Sequence, residues 1–284
     1  MTFLLNVFRR PEALERQIES IRHQTVPPSA VMIWQNDAPL PDVDFSGLDV
    51  QTAQCSDNLG VWARLAYALN AETEYVCMLD DDTVPGSRWI ENCLGTLSAA
   101  EGLLGTRGLR FKSRRSYLLA EEIGWQAPND SVERVDIVGH AWFFRSEWLQ
   151  AFWSVPRFSL ATAGEDFHFS FALQHVLGLG TYVPAHPAHD RSLWGADPET
   201  SLRFGVSEQA VSASPGAQER FQRAFRFYVD AGLVLVKSPT LGSELSVTIE
   251  GLATAPRVRR TLGGFRWARR LWTLWHEKVL RMNA

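Results

Sequence analysis

Cysteine is scarce in this chain. The three residues, Cys55, Cys77 and Cys93, are odd in number and none has CxxC spacing, which argues against a disulfide framework and a cysteine-built zinc site. Thiols left unpaired fit a reducing compartment, so a cytoplasmic location is expected. Long apolar runs are missing as well. The longest candidate, Ala231 to Val236, falls far short of the ~20 residues that a membrane-spanning helix needs. At the start of the chain the apolar stretch is brief, and Arg9 and Arg10 follow it rather than precede it, unlike a secretory signal. The first strand–helix loop, Asn6 to Pro11, has no glycine, which disfavours a glycine-rich phosphate cradle there. Internal repeats and long low-complexity tracts are also missing.

What is present is an ordinary globular composition. The 284 residues are 45% hydrophobic and 21% charged, enough for one large α/β domain with an appendage. The formal net charge of −4 is unevenly spread. From Pro256 onward eight Arg and Lys face one acid, Glu277, which leaves 20 basic and 31 acidic residues elsewhere. Such polarity concerns partners and surfaces more than folding.

Apolar runs at 3–8, 30–34 and 75–79 predict strands, and 51–54 reads as a short further strand. Stripes at helical spacing predict helices from Pro11, through Leu14, Ile18 and Ile21, and over 88–97, with Asp57 or Asn58 capping a further helix that runs to about Leu69 and Ser87 capping that over 88–97. Alternating strands and helices argue for βαβ units and a mainly parallel sheet. Further on, 102–111, 132–145 and 181–183 read as strands. Helices are expected over 165–176, closed by Gly178, and over 217–230, and 238–254 reads as linker or irregular structure. In parallel sheets ligands bind beyond the carboxyl ends of the strands. Asn6, Asn36, Asp37 and the run Asp80-Asp81-Asp82 fall there.

Three adjacent carboxylates repel one another, and the arrangement costs stability unless a cation offsets the charge. Mg²⁺ and Mn²⁺ take oxygen ligands, commonly one or two carboxylates plus substrate phosphates. In extended backbone residues i and i+2 share a side, so Asp80 and Asp82 can address one site while Asp81 turns elsewhere. A second acidic pair, Glu165-Asp166, opens a helix after Gly164. On its own this pair is accounted for by the helix dipole. It follows, however, the strand Asp136-Ile137-Val138-Gly139-His140-Ala141-Trp142-Phe143-Phe144.

Together, Met-Leu-Asp-Asp-Asp-Thr-Val, Asp-Ile-Val-Gly-His-Ala-Trp-Phe-Phe and Gly-Glu-Asp-Phe-His-Phe resemble the motifs of GT-A glycosyltransferases. The chain looks most like the exostosin C-terminal catalytic domain and bacterial family-2-type enzymes of surface polysaccharide synthesis. The resemblance covers roughly residues 1–195. It implies a Rossmann-like nucleotide-sugar-binding α/β fold, a mixed, mainly parallel sheet flanked by helices, with a helical C-terminal appendage. The organisation expected is a catalytic domain over 1–200, an extension packed on it over 201–255, and a basic amphipathic tail helix over 256–284.

The resemblance also implies roles. Asp80 and Asp82 take the metal and diphosphate positions, with Asp81 beside them. Asn6 and Arg9 lie near the nucleobase, and Asn36 and Asp37 near the base or ribose. Asn58 and Arg64 match a nucleotide-contacting pair. Asp166, with Glu165, marks the reacting centre. Many such enzymes take a third metal ligand from a late histidine, for which His186 and His189 are candidates. Arg191 is placed to pair the departing diphosphate, and Trp194 to stack on a sugar. His140 and His168 are expected to be structural.

The expected activity is divalent-metal-dependent transfer of a sugar, from a donor that is UDP-linked by resemblance, to a glycan or lipid-linked acceptor. The stereochemical course stays open between inversion, with Asp166 as general base, and retention. Two alternatives also stay open: a nucleotidyltransferase acting on sugar phosphates, and a non-catalytic glycan-binding protein. In the tail, a basic stripe against a Trp/Leu face fits a helix on an anionic membrane surface, which would make the protein peripheral there. A helix packed on the domain fits the same pattern. Nucleic acid is not an expected partner, because the body is acidic and carries no recognised module.

Overall fold

The run Thr2–Val7 forms strand β1, and its side chains alternate between two buried layers. Beside it lie β2 (Ala30–Asn36), then β3 (Val50–Cys55), and on its other side β4 (Tyr75–Leu79), all parallel. The computed structural model describes residues 1–8, 11–159, 164–205 and 214–237, all within the compact unit Met1–Ser238. Arg9 and the tail 256–284 lie outside the described residues, as does the whole segment 238–254 expected as linker.

Helix α1 (Leu14–Arg22) follows a short 3₁₀ turn that starts at Pro11. Its Leu14, Ile18 and Ile21 pack on Phe3, Leu5 and Val7, together with Trp89, Ile90 and Cys93 of α3 (Trp89–Ala99). The opposite face of the sheet presents Leu4, Met32, Val76 and Met78 to Leu65 of α2 (Ala63–Tyr67). Burying each such side chain contributes roughly 1.5–3 kcal/mol relative to exposure. The two-residue period of the strand therefore feeds two helical layers at once.

The expected strand 102–111 is two strands. Gly102–Leu104 (β5) joins the main sheet, and Arg107–Phe111 (β6) starts a second one. The region 132–145 likewise divides into β8 (Glu133–Val135), β9 (Ile137–Gly139) and β10 (Trp142–Arg145). With β7 (Ala120–Gly124) and β11 (Gly180–Val183), the main sheet reads β3-β2-β1-β4-β10-β5-β11-β8 and the smaller one β7-β6-β9. Strand β10 runs antiparallel between β4 and β5. The architecture is thus mixed α/β with a mostly parallel larger sheet.

Helices α4 (Leu149–Ser154) and α5 (Glu165–Ala172) complete the far layer, and α5 widens into one π-type turn before Gly178 (φ 68°) ends it. Helix α6 (Pro198–Gly205) follows. Helix α7 (Ala217–Asp230), expected in an extension, buries Phe225 and Tyr228 against Phe111 of β6 and Phe167 of α5. No helix among the described residues is long and apolar enough to cross a membrane.

Two expected caps are not made. Helix α3 begins after Arg88 with no side-chain cap from Ser87. Helix α2 begins after Trp62, four residues beyond Asn58, whose side chain is engaged elsewhere.

Candidate functional site

Strand β4 delivers Asp80, Asp81 and Asp82 at its carboxyl end, beside those of β1 and β2. Helix α1 fixes the turn that follows. The buried Gln17 amide donates to the carbonyls of Asp80 and Thr83, both at 2.8 Å, and Thr83 N–H closes back on Asp80 O at 3.0 Å. From α6, the Ser201 hydroxyl donates to Asp82 O at 3.1 Å.

Asp80, Asp82 and His140 bring one ligand atom each within 4.8 Å of one another. His140 Nδ1 lies 3.7 Å from Asp80 and 3.8 Å from Asp82. It is buried and, among the described residues, has no hydrogen-bond partner. Metal–ligand bonds of roughly 2.0–2.2 Å place two ligand atoms on one ion up to about 4.4 Å apart. The two distances from His140 and its unsatisfied nitrogen fit a divalent cation, and the group could hold one.

His140, expected to be structural, stands beside Asp80 and Asp82 in a group that could hold a metal ion. Its placement follows from pairing. Strand β10 opposes β4 with Trp142 across from Met78, so the segment that enters β10, with His140, lies at the same sheet end as the segment that leaves β4, with Asp80. The imidazole lies nearly parallel to the Trp125 indole, with centroids 5.2 Å apart and 26° between planes. Arg107 lies over the same indole at 5.5 Å and donates twice to Glu122, at 2.9 and 2.7 Å.

Arg64 joins the two acidic motifs. One terminal nitrogen donates to Asp80, the other to Glu165 at 3.3 Å, and the guanidinium rests on Trp142 at 4.6 Å. It is 4% exposed. Burial disfavours its charge, yet Asp80 and Glu165 outweigh that, and its pKa is raised. Arg64 was expected to touch a nucleotide. With both terminal nitrogens held by protein carboxylates, it instead braces the cluster.

Desolvation raises Glu165, against the pull of Arg64. Its second oxygen accepts from Gly164 N–H at 3.0 Å. Asp166 is raised to about 7, by desolvation first and by the neighbouring Glu165 charge second. Its Oδ1 accepts from Phe167 N–H at 2.8 Å. Asp81 is buried, and its charge adds to the field on Arg64.

The other expected site residues fare differently. Asn6 stands at the end of β1, opposite Trp34. Asn36 is 4% exposed and its amide is occupied, donating to Asn58 Oδ1 at 2.9 Å and accepting from Leu59 N–H at 2.9 Å. Asn58 also accepts from Gly60 N–H at 2.8 Å. The pair builds the turn before α2. Asp37 is exposed in a left-handed conformation (φ 54°).

His186 is corrected as a metal ligand. It is fully buried, Nδ1 donates to Pro184 O at 2.7 Å, and Nε2 faces the Thr106 hydroxyl at 2.7 Å and Gly195 N–H at 3.3 Å. Burial lowers it to about 4, and no nitrogen is left for an ion. His189 is exposed and does not enter the acidic cluster. Trp194 is corrected as a sugar platform. It is 4% exposed, donates to Pro187 O at 2.9 Å, and anchors its loop under Arg191, 5.3 Å away. Arg191 itself pairs with Glu199 at 3.2 Å. His168 is structural as expected: Nε2 donates to Phe152 O at 2.6 Å, and Nδ1 accepts from the Tyr228 hydroxyl at 3.0 Å.

No protein-family model matches the chain, and no curated protein matches it.

Proposed function

We propose that this protein is a divalent-metal-dependent glycosyltransferase of the GT-A type, which moves a sugar from a nucleotide-sugar donor to a glycan or lipid-linked acceptor. The observation that carries this reading is the joining of two acidic motifs at one sheet end. Asp80 and Asp82 converge with His140, and Arg64 ties Asp80 to Glu165, next to Asp166. Two carboxylates with one imidazole suit Mn²⁺ better than Mg²⁺, which favours oxygen ligands alone. A bound ion there would supply positive charge against a leaving diphosphate.

The chain's own residues do the rest. Asp80, Asp82 and His140 hold the site, and Gln17 and Ser201 fix the backbone that presents it. Arg64 keeps Asp80 and Glu165 apart yet adjacent. Asp166, with a pKa near neutral, is the residue suited to accept the acceptor hydroxyl's proton, because a base is most effective when its pKa lies near the working pH. That assignment corresponds to an inverting course. In a retaining course Asp166 would position the acceptor.

The test is hydrolysis and transfer with a panel of nucleotide sugars, read as nucleoside diphosphate release with Mn²⁺, with Mg²⁺ and with chelator. Release is expected with one or more donors, to be abolished by chelator, and to fall at least about 100-fold in Asp82→Asn. If no nucleotide sugar is turned over or raises the melting temperature with Mn²⁺, the proposal fails. Pyrophosphate release from a nucleoside triphosphate would point to nucleotidyl transfer instead.

A further inference from the structure

Among the described residues three non-glycine positions have positive φ: Asp37, Trp125 and His140. Two of the three are in contact, as the stacked pair Trp125–His140. Such backbone is strained and persists where the surroundings dictate it, commonly at functional sites. The surroundings are tight at Trp125. It follows Gly124, which is itself at φ 75° and would bring a Cβ to 2.2 Å from the Thr106 carbonyl oxygen. The turn then closes by reciprocal bonds between Gly124 and Ala127, at 2.8 and 2.7 Å.

The indole does not point by virtue of its N–H, because Trp125 Nε1 is buried without a hydrogen-bond partner among the described residues. What it offers is a flat surface, bounded by His140 and by Arg107. His140 has the converse need. Its Nδ1 faces Asp80 and Asp82 at 3.7 and 3.8 Å with no hydrogen bond to hold it. A metal-binding imidazole is ordinarily oriented by a partner outside the ligand set.

We propose that Trp125 is a positioning residue for His140: its ring fixes the imidazole plane so that Nδ1 addresses a cation shared with Asp80 and Asp82. This rests on the metal centre proposed above. Arg107, anchored by Glu122, steadies the indole and so acts one step further out.

The test is Mn²⁺ binding by the full chain without donor, measured by electron paramagnetic resonance of the free ion. Trp125→Gly removes the ring while relieving the φ 44° backbone, since glycine adopts that conformation freely. Trp125→Phe keeps a flat surface. We expect Trp125→Gly to weaken Mn²⁺ binding about 10-fold or more, and Trp125→Phe to stay within about 3-fold of the parent. In a His140→Ala background, Trp125→Gly should change affinity little, because a residue acting through His140 has nothing left to position. Should Trp125→Gly not fold, as judged by melting in chelator, Trp125→Leu carries the same comparison without a planar ring. Unchanged affinity in the ring-deleted variant, or full additivity with His140→Ala, overturns the positioning role and leaves the metal centre standing. Failure of the parent protein to bind Mn²⁺ overturns both.

Discussion

Arg64 and Asp166 have opposite electrostatic fates at one site. Arg64 keeps its charge because two carboxylates contact it. Among the described residues Asp166 has no such partner at contact distance, and desolvation with the adjacent Glu165 charge lifts it to about 7. At that pKa about half of the side chain is ionised at neutral pH, which is where a general base transfers protons most effectively. We expect kcat/KM to rise between pH 6 and 8 with an inflection near 7. Asp166→Asn keeps the acceptor oxygen for Phe167 N–H, yet should lower kcat by about 10²–10⁴-fold and flatten the profile. A parent profile that is flat through pH 7 would remove Asp166 as the base and leave the departing phosphate as proton acceptor.

At the scale of elements, the site depends on two loops held edge to edge. The segment after β4 meets the loop before α6 through Gly86 N–H to Trp194 O at 2.8 Å, Arg88 N–H to Ser192 O at 2.8 Å and Asp197 N–H to Val84 O at 3.0 Å. Gly86 permits that approach, because a Cβ there would lie 2.4 Å from Arg191 O and 2.5 Å from Ser192 O. Both obstacles are backbone, so Gly86→Ala must part the loops. We expect it to lower stability by about 1–3 kcal/mol and to weaken Mn²⁺ binding, read together by urea melts and metal titration. Unaltered values in both would mean that the loops are not mechanically linked. The loop acids were legible in the sequence because apolar runs such as 75–79 stop abruptly at charge. His140 was not legible, because its partner is set by the antiparallel register of β10 on β4, and pairing is a property of two strands. Strand β7, Ala-Glu-Glu-Ile-Gly, lacks an apolar alternation of its own and exists through its ladder with β6. The break between β5 and β6 was hidden because only Gly105 and Thr106 separate them, and their separation into two sheets is a tertiary choice.

Across the whole molecule, buried titratable groups pull stability in opposite directions with pH. His168 and His186 are pushed down to about 4 by burial, so they contribute stability above their ordinary range near 6.5 that is lost as pH falls through about 4. Asp136 runs the other way. Desolvation raises it to about 6, although it accepts from Phe111 and Val236 N–H at 2.6 Å each. A raised acid binds a proton in the native state that the unfolded chain has released. Its contribution is therefore complete below about 4 and lost as pH rises through the folded value. Between about pH 4 and 6.5 the histidines and the acids offset one another. Above 6.5 the histidines are neutral in both states and Asp136 is largely ionised, which leaves the Glu165–Asp166 pair, with Asp166 titrating near 7. In chelator, to keep metal ions off Asp80 and Asp82, the parent protein should lose about 1 kcal/mol relative to Asp166→Asn between pH 6.5 and 8. For a unit of this size that is roughly 2–4 °C in melting temperature. Parallel stability curves for the two proteins over that interval would mean that Asp166 is already ionised at pH 6.5, and the case for it as a neutral-pH base would go with them.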